Sequence, residues 1–169
     1  MLYLLRLIHV LGGALWFGGA VFIAGFLIPA IRAAGPAGGP VMYQLTQVRR
    51  LHPYMITVTW LALLSGIALA WRDAGELRWH WLQTGPGLTY SVGALCALAA
   101  AAVGLLVSAP TGKHLGAATA TLQAAGRPPT AEEVGHIQLL QAALARAATI
   151  IAGLLIFTTA AMAVARYVF

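Results

Sequence analysis

The sequence predicts an all-α integral membrane protein, a bundle of four transmembrane helices with both termini on the same side and almost no soluble domain. Three observations predict it. Apolar residues make up 60% of the 169 and charged residues 8%, which leaves too little polar surface for a water-soluble chain of this length. A bilayer core about 30 Å thick needs roughly 20 apolar helical residues to cross it. Four stretches qualify: Leu7 to Ile31, Tyr54 to Trp71, Leu88 to Ala109 and Ala147 to Ala165. Their apolar runs are continuous rather than alternating, which excludes a transmembrane barrel and leaves the helix as the way to satisfy the backbone in lipid. The chain reads as a single transmembrane domain, 1–169.

The first stretch follows Arg6, as a signal peptide core would. It is longer than such a core and lacks a small-x-small cleavage site before Pro29, so it is expected to remain as a span. Three loops are expected where Gly, Pro and charge collect: Ala33 to Pro40, Arg72 to Gly87, and Gly112 to Thr130, the last containing Arg127-Pro128-Pro129. Two helices are expected to project beyond the bilayer. Pro40 suits the first turn of one that passes Tyr43, Gln44, Arg49 and Arg50 into the second span, with a kink at Pro53. Thr130 and Glu133 have capping-box spacing at the start of the other.

With four spans, Arg6, Arg72, Arg78 and Arg166 fall on the side of the termini, diluted by Asp73 and Glu76. Arg32, Arg49, Arg50, Lys113, Arg127 and Arg146 fall on the opposite side. The positive excess predicts that this second side is cytoplasmic and that the termini lie outside a bacterial-type plasma (inner) membrane. The net charge of +6 hugs helix ends, as headgroup anchors do, and forms no aromatic-interleaved patch for nucleic acid. A lone cysteine, Cys96, excludes an internal disulfide and a thiolate cluster. The spans hold no Asp or Glu, which argues against hydrolytic chemistry and proton-coupled transport.

The functional signal lies in the histidines, because a neutral imidazole can ligate haem iron, copper or zinc and polar groups at membrane depth are costly. Among His9, His52, His80, His114 and His136, only His9 falls clearly inside a span, about a turn from the face on the terminal side. It shares a helix face with Gly12, Gly13, Trp16, Gly19 and Ala20. A stripe of small residues beside a His can let a flat macrocycle lie against the backbone, with Trp16 closing an edge. The same stripe equally serves close helix packing, with His9 bonded to a neighbour. His80, between Trp79 and Trp81, and Met162 lie at depths similar to His9 and are candidate second ligands. On the other side, Arg49 and Arg50 beside His52 suit a haem propionate or a lipid phosphate. Solvated His114 and His136 carry no assignment.

The run Leu7-Ile8-His9-Val10-Leu11-Gly12-Gly13-Ala14-Leu15-Trp16-Phe17-Gly18-Gly19 resembles the first helix of the HemJ/CopD-like four-helix membrane proteins, whose pattern is Leu-x-His followed by Trp-Phe-Gly. The similarity continues at Phe26-Leu27-Ile28-Pro29 and Arg49-Arg50-Leu51. In the HemJ-type branch the resemblance implies that His9 is a haem ligand and that the protein serves protoporphyrinogen oxidation. In the CopD-like branch it implies copper handling. The Lys that HemJ-type enzymes carry near the start of the third helix is absent between Trp81 and Ser91, and their Asn-Glu-x-Pro signature before the fourth helix is missing. The expectation is therefore a haem b-binding scaffold, with enzyme activity left open, that exchanges electrons with a quinone or membrane partner. A copper site of His9, Met162 and His80 is the second expectation. The third is a cofactor-free accessory subunit, joined to copies of itself or to a larger complex.

Overall fold

The backbone is committed to helix almost throughout. The computed structural model describes residues 2–75 and 78–168; it is 92% helical, with no strand among the described residues. Helix α1 (Leu2–Phe22) passes through a π-turn (Ile23–Leu27) into α2 (Ile28–Ala33). A 3₁₀ turn (Gly35–Ala37), α3 (Gly38–Tyr43) and a second π-turn (Gln44–Val48) lead to α4 (Leu51–Ala74). The short α5 (Arg78–Leu82) precedes α6 (Gly85–Val103), which runs through a third π-turn (Gly104–Ser108) into α7 (Ala109–Ala125). The long α8 (Ala131–Val164) completes the bundle. Four helical stretches are long and apolar enough to cross a membrane, Leu2–Ala33, Leu51–Asp73, Gly85–Ala125 and Ala131–Tyr167, and the chain is a multi-pass membrane protein of all-α, four-helix-bundle architecture.

Two of the π-turns have a covalent cause. They close with an i to i−5 bond one residue before a proline: the Ile28 N–H donates to Ile23 O ahead of Pro29, and the Ala109 N–H donates to Gly104 O ahead of Pro110. A proline ring would collide with the carbonyl four residues back, and one extra residue in the turn swings that carbonyl aside without ending the helix. Pro110 therefore does not stop the third helix. The loop expected over Gly112 to Thr130 shrinks to 126–130, because the Ala, Leu and Gln of 115–125 favour helix. Gly126, at φ 62°, then supplies the left-handed stop.

The helix expected to run from Pro40 into the second span with a kink at Pro53 instead breaks at Arg50, which is left-handed at φ 51°. The break puts Pro53 in the first turn of α4, where no N–H is required of it. The loop expected over Arg72 to Gly87 contains α5 and the N-cap of α6, where Thr84 Oγ1 accepts from the Gly87 N–H at 3.1 Å. Glu76 lies outside the described residues, as do the side chains of Arg78 and Trp79.

At 41 and 37 residues the third and fourth helices exceed the roughly 20 needed for a bilayer core, and α7 with the first half of α8 forms a helical hairpin beyond it. The expected capping box is present: Thr130 Oγ1 accepts from the Glu133 N–H, and Glu133 Oε2 accepts from the Thr130 N–H at 2.7 Å. Arg127 donates to both Glu133 carboxylate oxygens, at 2.9 and 2.7 Å. Chiefly this arginine, then the Thr130 backbone, holds the Glu133 carboxyl down at about 2. Because the folded value lies below the unfolded one near 4.5, the cap is at full strength above about pH 4.5 and is lost as pH falls toward 2. The protection of the 131–134 amides, taken relative to the intrinsic exchange rate at each pH, should fall between pH 5 and pH 2.5, and Glu133→Gln should remove that fall.

Within the bundle the first span packs chiefly on the second and the third on the fourth. The first and fourth close the ring, with a lighter contact between second and third. The core is Trp16, Ala20, Val58, Ala62, Ala97, Ala100, Ala101 and Leu155. Its alanines bring the helix axes close, which is how van der Waals packing holds helices together when lipid competes for apolar contact. Thr158 Oγ1 donates to Gly93 O at 3.1 Å across the third and fourth helices.

Candidate functional site at His9

On α1 the buried positions Gly12, Trp16 and Ala20 repeat every four residues, and on α4 Val58, Ala62 and Ser65 do so every three or four. These faces meet antiparallel in a register set by small residues. A Cβ on Gly12 would stand 3.2 Å from Ala62 N, and one on Gly19 would stand 3.0 Å from Met55 Sδ. The same register carries His9 to Ala62, Ser65 and Gly66, one turn further toward the terminal face.

There the imidazole lies in a notch made by Gly66, whose Cβ, if it had one, would stand 2.8 Å from His9 Cε1 and 3.2 Å from Nδ1. His9 Nδ1 lies 2.9 Å from Ala62 O and 3.3 Å from Ser65 Oγ. A carbonyl oxygen only accepts, so the 2.9 Å contact places the proton on Nδ1 and leaves the Nε2 lone pair free. Among the described residues no protein group is bonded to Nε2. A metal-ligating histidine is held in this way, one nitrogen anchored to a backbone acceptor and the other presented.

The other candidate residues are placed differently. Trp16 is 5% exposed and belongs to the buried cluster at the centre of the bundle. Gly12 is covered by Leu61 and Ala62, which removes it as a platform for a macrocycle. Gly13 has nothing within 4 Å of where a Cβ would stand. Met162 is half-buried beside Gly93, with its Cε 3.6 Å from that glycine's would-be Cβ, in the seam of the third and fourth helices rather than that of His9. His80 is exposed on α5, and His52, Arg49 and Arg50 are exposed at the opposite end of the bundle. No group of three or more His, Cys, Asp or Glu among the described residues is arranged to hold a metal ion. A groove of about 310 Å³ lies between α7 and α8, lined by Ala118, Thr121, Leu122, Glu132, Glu133, His136 and Ile137, at the far end from His9.

Ala62, Ser65 and Gly66 are the site residues that sequence reasoning misses. The available signal is the Ser65-Gly66 pair, which interrupts an apolar span at the depth of His9. No protein-family model, curated protein or solved structure matches the chain. Fold and site together define its class: a four-helix, multi-pass membrane protein with an intramembrane histidine anchored through Nδ1.

Proposed function

We propose that the chain is a membrane haem b-binding protein with His9 as axial ligand, in a redox or haem-related role. The observation that carries this reading is the 2.9 Å contact between His9 Nδ1 and Ala62 O, which leaves Nε2 available. His9 alone would hold the haem, since Met162 lies in the seam of the third and fourth helices and His80 is exposed on α5. Bound there, haem would supply one-electron chemistry at iron, and burial and the axial imidazole would tune its potential. The chain's own part is to orient Nε2. The basic excess opposite the termini supports a bacterial-type plasma membrane with that side cytoplasmic, and a quinone or another membrane protein is the proposed electron partner.

A specific observation favours a second reading. Gly12, Gly19 and Trp16 are consumed in helix packing, as in an accessory subunit without a cofactor. Copper draws less support, because its expected ligands are apart: His9 and Met162 occupy different seams and His80 is exposed on α5. Haem and metal content of the full-length protein, purified from haem-replete and copper-replete cells, separates the three. Stoichiometric haem b is the expected result. Stoichiometric copper without haem identifies the copper site, and neither cofactor identifies the accessory subunit.

A further inference from the structure

His9 Nδ1 faces two oxygens, and one of them belongs to a side chain. Ser65 is 4% exposed and has a single hydroxyl proton. Its Oγ donates to Leu61 O, with Ala62 O 3.2 Å away as a second acceptor. With that proton committed to helix carbonyls, what Ser65 offers His9 at 3.3 Å is a lone pair. Both oxygens at Nδ1 are thus acceptors. In the opposite tautomer the Nδ1 lone pair would oppose the Ala62 carbonyl at 2.9 Å, and Ser65 would have to surrender its helix bond to relieve the repulsion, a costly state where the dielectric is low.

We propose that Ser65 is a positioning residue: with Ala62 O, its hydroxyl oxygen fixes His9 in the Nδ1–H tautomer and strengthens Nε2 as a donor. Acceptors on the far nitrogen of a ligating imidazole raise its basicity. The use of Nε2 as a haem ligand rests on the function proposed above, whereas the tautomer and the role of Ser65 in it do not.

The test is nitrogen NMR of the full-length chain labelled with [15N]histidine, purified in detergent from haem-depleted cells, with the His9 signals assigned by their loss in His9→Ala. The wild type should hold the Nδ1–H form. Ser65→Ala should lower the ratio of Nδ1–H to Nε2–H about fivefold, the factor that one ordinary hydrogen bond supplies. Ser91→Ala removes a comparable hydroxyl bonded within its own helix, to Gly87 O at 2.7 Å, and should leave the His9 ratio unchanged. An Nε2–H wild type, an unchanged ratio in Ser65→Ala, or an equal change in Ser91→Ala overturns the proposal. Because haem is absent from this measurement, failure to find haem in the loaded protein refutes the ligand reading and leaves the role of Ser65 to be decided here.

Discussion

Gly66→Ala should yield a folded, helical protein that binds haem about 10–100-fold more weakly than the wild type, the loss typical of removing an outer-shell partner from a metal ligand. The added methyl would stand 2.8 Å from His9 Cε1, closer than a carbon neighbour tolerates. What yields is the imidazole, a side chain free to rotate, and not the backbone of α1. Rotation takes Nδ1 away from Ala62 O and so abolishes both the tautomer lock and the aim of Nε2. The helix itself gains slightly, since alanine is the better helix former by up to about 1 kcal/mol. Gly18→Ala is the control, because nothing lies within 4 Å of its added carbon, and its haem affinity should match the wild type. Haem titration of the two purified variants checks both statements.

Trp16→Ala should be the most destabilising truncation in the core. Trp16 belongs to a buried cluster with Ala20, Val58, Ala62, Ala97, Ala100, Ala101 and Leu155, mostly small residues that cannot spread to fill its volume. In a water-soluble core such a truncation costs about 3–5 kcal/mol, in a transfer part and a cavity part. Lipid tails are as apolar as the core, so much of the transfer part disappears here, and about 2 kcal/mol of lost contact remains. Steric-trap or denaturant unfolding in micelles should register that loss. Truncating the exposed Leu106, which faces outward at 76% exposure, should cost almost nothing by the same assay.

The spans were legible because composition alone dictates them: a run such as Ala147 to Ala165 has no other stable state in lipid. The extramembrane hairpin was half legible. Thr130 and Glu133 announce their cap through side chains, whereas the continuation of α7 past Pro110 was hidden, because proline and the glycines at 112 and 116 read as loop residues. The π-turn that absorbs Pro110 has no side-chain signature of its own. His9 was legible as a polar group at depth, but its principal partner, Ala62 O, is a backbone atom of another span, and a carbonyl leaves no mark in the sequence. Only the register between α1 and α4 reveals it. The same register explains why Gly12 and Trp16, which look as available as His9 on a helical wheel, are spent on packing.

The most direct measurement is the reduced-minus-oxidised visible spectrum of the full-length protein, purified from haem-replete cells, beside His9→Ala with and without added imidazole. The account predicts a sharp b-type band in the wild type, its loss in His9→Ala, and partial return when imidazole occupies the vacated ligand position. A colourless wild type, or a band that survives unchanged in His9→Ala, would contradict it.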